Sequence, residues 1–213
     1  MFYNPFANLK KREWCLWIIS MIVVAASNLL TGETEPVTLA ATLIGVTALI
    51  FVARGDVWGQ VLTVIFSLLY AVVSWEFRYY GEMITYLGMT APIAVLSVVS
   101  WLKNPYGEGR NEVKIQRLSR GHICLMILLC TAVTAAFYFI LKAFGTPNLV
   151  MSTISIVTSF LASYLMLCRC SFYALAYAAN DIVLIVLWVL AAMENIVYAP
   201  MIVCFVMFFI NDI

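Results

Sequence analysis

Charged residues are scarce in this sequence. Asp, Glu, Lys and Arg together make up 11% of the 213 residues, whereas a soluble domain averages about 25%. Hydrophobic residues make up 64%. Such a chain has too little charge to cover a water-facing surface, so its composition excludes a soluble globular domain and predicts an integral membrane protein built almost entirely of spans. The formal net charge of +1 gives no indication of a nucleic-acid partner.

Residues and motifs typical of catalytic and metal sites are also few. The sequence contains a single histidine, His122, and its six cysteines show neither a disulfide framework nor zinc-ligand spacing. It lacks a G-x-x-x-x-G-K-[ST] motif, which excludes a P-loop nucleotide site. An intramembrane enzyme would need a nucleophile and a base, and no Ser-His-Asp arrangement can be assembled. We therefore predict that the protein is not an enzyme and uses no cofactor or metal.

Long apolar runs dominate what is present. Eight segments come close to the ~20 residues that a membrane-spanning helix requires. They cover approximately residues 14–31, 37–53, 57–77, 83–101, 122–143, 150–168, 172–193 and 196–211. The first is too long for the apolar region of a signal peptide, so we expect it to be a retained helix. The predicted fold class is an all-α polytopic membrane protein with about eight transmembrane helices.

The distribution of Lys and Arg predicts the orientation. With the N-terminus inside the cell, ten of these residues fall on the cytoplasmic side and two, Arg78 and Lys142, fall outside. The cytoplasmic set is Lys10, Lys11, Arg12, Arg54, Lys103, Arg110, Lys114, Arg117, Arg120 and Arg169. Both termini are then cytoplasmic. The lipid bilayer is the expected partner, and the sequence leaves open whether the protein forms a homo-oligomer.

The apolar segments repeat along the chain. A shift of 115 residues superimposes two sets of three segments and places Arg54 on Arg169 at equivalent turns. Two three-helix units that run in the same direction need an odd number of connecting spans, so we predict a 1+3+1+3 architecture with parallel repeats, as in SWEET-type transporters. The divisions are an extra helix at 1–35, a first repeat at 36–103, a loop and linker helix at 104–148, and a second repeat at 149–213.

The segment YAANDIVLIVLW places Asn180 and Asp181 side by side in an apolar span. Because a mid-helix Asp costs about 2.5–3.5 kcal/mol on insertion scales, its side chain is expected to face a protein interior or a wet cavity. Tyr173, Tyr177 and Trp188 lie on the same helical stripe. We predict that these five residues bind a ligand. The alternative is that Asn180 and Asp181 form interhelical hydrogen bonds that hold the bundle together.

A second polar stripe lies on the third apolar segment. Gln60, Thr63, Ser67, Tyr70 and Ser74 follow helical spacing, which predicts that they face the same cavity. Packing of small residues is the alternative, and it would explain Ser67 and Ser74 but not Gln60 or Tyr70. Pro92 predicts a kink in the fourth segment, where freed carbonyl groups could line the cavity.

Four stretches resemble the PnuC family of bacterial vitamin transporters over residues 36–213. They are VWGQVLTVIFSLLY, YYGEMITYLGMTAPIAVLSVVSWLKNP, ANDIVLIVLW and the terminal FFINDI, and the second resembles a Gram-positive branch nearly residue for residue. The resemblance implies a SWEET-like fold in the bacterial plasma membrane and adds Asn211 to the candidate site. It also implies uptake of nicotinamide riboside for NAD synthesis by facilitated diffusion, with trapping by phosphorylation inside the cell.

The residues are compatible with that ligand. Aromatic rings suit its positively charged pyridinium ring, Asn180 or Gln60 can pair with the carboxamide, and Asp181 can accept from ribose hydroxyls or offset the charge. No Lys or Arg lies in mid-membrane to meet a phosphate, which argues against the mononucleotide. The family often has tryptophan where this chain has Ala174 and Tyr177. Transport of thiamine or riboflavin, and a non-transporting scaffold subunit, are the alternatives.

Overall fold

The computed structural model describes residues 4–30, 35–76, 78–107 and 111–213. Over these ranges the chain is helical, with two isolated β-bridges in place of any sheet. Arg110, which the charge pattern assigns to the cytoplasmic side, lies outside the described residues. The fold is thus all-α, as predicted.

Nine α-helices and one π-helical turn carry the fold within the described ranges. The helices are α1 (Lys11–Leu30), α2 (Pro36–Ala53), α3 (Val57–Glu76), α4 (Tyr80–Thr85), α5 (Ala91–Leu102), α6 (Arg120–Ala143), α7 (Leu149–Leu167), α8 (Tyr173–Glu194) and α9 (Ala199–Asp212). The π turn at Tyr86–Thr90 joins α4 and α5 into one continuous helix, Tyr80–Leu102. Seven helices are then long and apolar enough to cross a membrane, and the helical stretch Ile196–Asp212 is shorter.

The π turn has a local cause in Pro92. Proline has no N–H group, so it cannot donate the hydrogen bond that a regular helix would make one turn back. The helix accommodates this by widening over Tyr86–Thr90, and such π-helical turns are frequent at functional sites. The sequence predicted a kink at this proline, and the structure has a π turn just before it.

Helices α1 and α6 lie at the periphery of the bundle. In α6, only Cys130 and Leu141 among the described residues are buried, and in α1 only Ser20, Val24 and Asn28 are. The outward faces carry large apolar side chains, which suits contact with lipid. These two helices are the ones that the 1+3+1+3 architecture sets apart from the three-helix units.

The helices of the two predicted three-helix units contact each other in a reciprocal pattern. The first helix of the first unit, α2, packs on α9, and the first helix of the second unit, α7, packs on α5. The two predicted units therefore contact each other through their first and third helices. Two parallel units related by an axis along the membrane normal would produce this pattern.

The α2–α3 and α7–α8 turns have the same backbone geometry. Gly55 (φ 70°) and Arg169 (φ 56°) each take the left-handed conformation just after the helix end. In both turns the following residue, Asp56 or Cys170, donates its N–H to the carbonyl five positions earlier over 2.9 Å. This arrangement is a Schellman cap. Gly55, and not Arg54, is thus the structural counterpart of Arg169. The predicted shift of 115 is one residue too long at these turns.

The loop after α5 connects these two turns. The Val113 N–H donates to the Gly55 carbonyl over 2.9 Å, and the Gln116 N–H donates to the Arg169 carbonyl over 3.0 Å. Arg54 is also anchored there, since it bonds Glu112 over 2.9 Å. The loop therefore bridges the α2–α3 and α7–α8 turns at equivalent backbone positions.

Candidate functional site

A cavity of about 50 Å³ lies between the two predicted three-helix units. Its walls come from α2, α3, the π turn, α7, α8 and α9. The lining residues are Gly45, Ala48, Leu49, Val52, Thr63, Phe66, Tyr86, Thr90, Met166, Tyr177, Asn180, Asp181, Phe208 and Asp212. One water needs about 10–15 Å³ on this measure, so the cavity has room for a few waters.

Four of the predicted site residues line this cavity: Thr63, Tyr177, Asn180 and Asp181. Thr63 reaches the cavity from α3, whereas Tyr177, Asn180 and Asp181 reach it from α8. Tyr177 is held by Ser163, whose hydroxyl lies 3.3 Å from the tyrosine hydroxyl. The structure therefore brings three residues of the α8 stripe to the cavity but only one residue of the α3 stripe.

Asn180 is held in a defined orientation. Its Oδ1 accepts hydrogen bonds from the hydroxyls of Thr158 and Ser159, each over 2.8 Å. These two bonds occupy the acceptor end of the amide and tie it to α7. No described group accepts from the NH₂ end, so Asn180 keeps two donors for a ligand in the cavity.

Asp181 has a second acid beside it. It is 2% exposed and lies in hydrogen-bonding contact with the side chain of Asp212 from α9. One oxygen of each carboxyl group, Oδ2, is buried without a donor from any described group. Asp212 was absent from the predicted site, although the sequence carries a signal for it. The tripeptide Asn-Asp-Ile occurs twice, at 180–182 and at 211–213.

Gln60 and Ser67 are fully buried and do not line the cavity. Gln60 Nε2 lies 2.9 Å from the sulfur of Met166, which forms part of the wall, and Ser67 donates to the Thr63 carbonyl over 2.7 Å. The Gln60 Oε1 atom is without a partner among the described groups. Gln60 is therefore one side chain away from the cavity, behind Met166.

Tyr173 and Asn211 lie to the side of the cavity. The Tyr173 hydroxyl donates to the Val52 carbonyl over 2.7 Å and so ties α8 to the end of α2. Asn211 is half-buried and precedes Asp212 in α9. Both residues are near the site without forming its wall.

Tyr70 and Trp188 form an aromatic cluster above the cavity. The Trp188 Nε1–H donates to the Tyr70 hydroxyl over 2.9 Å, and the Tyr70 ring packs 4.3 Å from that of Tyr86, measured between centroids. Tyr79 and Phe205 complete the cluster. Since Tyr86 lines the cavity, these rings close it toward the predicted outer face.

Trp188→Ala should destabilise the protein by about 3–5 kcal/mol, because it removes a large, fully packed ring and leaves a cavity. Trp188 is 1% exposed. The measurement is the free energy of unfolding in mixed detergent micelles. Trp75→Ala is the matched control, since Trp75 is 58% exposed and should lose less than about 1 kcal/mol. Equal losses in the two variants would contradict the packing role of Trp188.

Several wall residues were not predicted from the sequence. Tyr86 and Thr90 reach the cavity through the π turn, and Phe66 and Phe208 close one side of it. Gly45 allows these two rings to pack against α2. A Cβ atom at this position would lie 2.7 Å from Phe208 Cζ and 3.0 Å from the Phe66 ring. The local signal for the π turn was Pro92; Phe66 and Phe208 resemble any other apolar residue of a span.

Residues 35–213 match the family described as Nicotinamide mononucleotide transporter. The chain belongs to this family. A curated relative, the Nicotinamide riboside transporter PnuC of Neisseria mucosa, is 24% identical over 202 residues, which cover 93% of this chain and 77% of that protein. The crystal structure of the vitamin B3 transporter PnuC superimposes with a TM-score of 0.76 at 22% identity, covering 96% of this chain and 92% of that one.

Membership of the nicotinamide mononucleotide transporter family makes this chain a multi-pass membrane transport protein. The resemblance predicted from the sequence and the polytopic all-α fold are both confirmed. The cavity between the units of this family member is lined by two acids, one amide and several aromatic rings.

Proposed function

We propose that this transporter takes up nicotinamide riboside and binds it in the cavity between the two three-helix units. The observation that carries the proposal is the chemistry of the wall. Two carboxyl groups, Asp181 and Asp212, face the cavity, and no Lys or Arg is found among its described lining residues. The names of the relatives, as riboside and vitamin B3 transporters, support the same substrate.

The charge of the wall favours the riboside over the mononucleotide. Nicotinamide riboside carries a fixed positive charge on its pyridinium ring, which the carboxyl groups would attract. The rings of Tyr86, Tyr177, Phe66 and Phe208 add cation–π attraction of about 0.5–2 kcal/mol. The mononucleotide adds a phosphate that would meet the two acids with no cation in the wall to balance it.

The amide and hydroxyl groups suit the rest of the molecule. The free NH₂ of Asn180 can donate to the carbonyl oxygen of the ligand's carboxamide. Asp181 and Asp212 can accept from ribose hydroxyls, and such charge-assisted hydrogen bonds are stronger than neutral ones. This assignment gives Asn180, Asp181 and Asp212 ligand atoms of matching polarity.

The size of the cavity requires motion. Sites that enclose ligands of this size measure about 300–1,000 Å³, and the present cavity has about 50 Å³. Binding must therefore separate the two units, which supports alternating access by rocking of one unit against the other. We further propose a SWEET-like arrangement of 36–103 and 149–213, with facilitated diffusion and trapping of the product by phosphorylation.

The charge pattern supports the orientation. Ten Lys and Arg residues on one side against two on the other favour cytoplasmic termini in a bacterial plasma membrane under the positive-inside rule. The loop that bridges Gly55 and Arg169 would then sit at the cytoplasmic end of the cavity.

A thermal-shift panel of the purified protein tests the substrate. The panel contains nicotinamide riboside, its mononucleotide, thiamine and riboflavin, each at a set excess. Ligand at 100 times its Kd stabilises by about 2.7 kcal/mol, so we expect a clear rise in melting temperature with the riboside alone. Stabilisation by another vitamin and not by the riboside would contradict the proposal, and no response to any would favour a scaffold role.

A further inference from the structure

The two carboxyl groups of the cavity pose a problem of hydrogen bonding. Asp181 and Asp212 are in hydrogen-bonding contact, yet an ionised carboxylate can only accept. Asp181 is 2% exposed, and the Oδ2 atoms of both residues lack a donor from any group that the structure describes. One proton held between the two carboxyl groups would supply the missing donor.

We propose that Asp181 and Asp212 share one proton in the ligand-free transporter and that a cationic ligand displaces it to water. The inference rests on the proposed function, because it needs a positively charged substrate. Without the ligand, two ionised acids in contact would repel each other in a site of low dielectric. With it, both can ionise around the positive charge.

The surroundings of the pair contain few other groups that could take or release this proton. Tyr86 faces it from the π turn, Tyr173 and Tyr177 from α8, and Cys204 from α9. Among the described residues, α2, α3 and α7 contribute only uncharged, non-titratable side chains to the wall. No described Lys or Arg competes with the ligand for the carboxyl groups there.

A third buried acid lies apart from the pair and provides a control. Glu82 of α4 is 2% exposed, and its Oε1 accepts from the Ser155 hydroxyl over 3.1 Å. It does not line the cavity. Glu82→Gln removes a buried carboxyl group from the same membrane-spanning region and leaves the pair intact.

Isothermal titration calorimetry with nicotinamide riboside, in two buffers of different ionisation enthalpy, counts the protons released on binding. We expect about one proton per ligand for the unmodified protein and for Glu82→Gln, by linkage between proton and ligand binding. Asp212→Asn should release about none, because the new amide donates to Asp181 and favours its ionised form. Binding without proton release would overturn the inference and leave the proposed function intact.

A second measurement needs no ligand. In the infrared spectrum of the ligand-free Glu82→Gln protein at neutral pH, a C=O stretching band of a protonated carboxyl group should be present. Adding Asp181→Asn or Asp212→Asn should change that band in both cases, since one proton belongs to both residues. Absence of the band would overturn the shared proton even if the riboside proves not to be the substrate. Melting temperatures establish that each variant is folded.

Discussion

Asp181→Asn should reduce the uptake of nicotinamide riboside by about 10- to 150-fold. The change removes the negative charge and one charge-assisted hydrogen bond, and such bonds contribute about 1.5–3 kcal/mol. Because asparagine has nearly the same shape and Asp181 is packed beside Asp212, the variant should still fold. The measurement is the initial rate of entry of labelled riboside into proteoliposomes at a concentration below half-saturation.

Asp56→Asn provides the matched control for this change. Asp56 is also buried, at 6% exposure, but it lies in the α2–α3 turn, where its side chain accepts from the Trp58 N–H over 2.9 Å. Asparagine can keep that bond, so uptake should stay within about twofold of the unmodified rate. Normal uptake by a folded Asp181→Asn variant would contradict the assignment of Asp181 to the binding site.

Gly59→Ala should destabilise the protein by about 3 kcal/mol or more, which is the upper range for overpacking. Gly59 lies where α3 crosses close to the end of α2. A Cβ atom there would lie 2.4 Å from the Val52 nitrogen and 2.8 Å from the Phe51 carbonyl carbon. Both are backbone atoms, so the clash can be relieved only by separating the two helices. The loss is measured as the free energy of unfolding in detergent micelles.

Gly88→Ala is the control for Gly59→Ala. Gly88 lies in the π turn, and the atom nearest to a new Cβ there, Phe137 Cζ, would be 3.8 Å away, in ordinary contact. We expect a change of less than about 0.5 kcal/mol, because the site has room. If Gly59→Ala proved as stable as Gly88→Ala, the close packing of α2 on α3 would be wrong.

The spans could be predicted from the sequence because the lipid environment restricts the chain to helices, and apolar runs reveal their length. The position of Asp181 was predictable for a related reason, since a charge in mid-membrane must avoid lipid. In both cases one large desolvation energy decides the outcome, and that energy can be read from residue type alone.

The rest depends on contacts between distant residues. A helical stripe shows which side of α3 is polar, but not that Met166 covers Gln60 while Thr63 reaches the cavity. The pairing of Asp181 with Asp212 requires α8 and α9 to pack together, which no local pattern encodes. The repeat was offset by one residue because Arg169 takes a left-handed conformation that glycine takes in the other turn.

The central claim is that a cationic vitamin binds between the two three-helix units, against Asp181. An experimental structure of the protein with nicotinamide riboside bound tests it most directly. We expect the pyridinium ring among Tyr86, Tyr177 and Phe208, with the carboxamide oxygen facing Asn180 and the two units farther apart than at present. Ligand density elsewhere, or an Asp181 side chain turned toward lipid, would contradict the account.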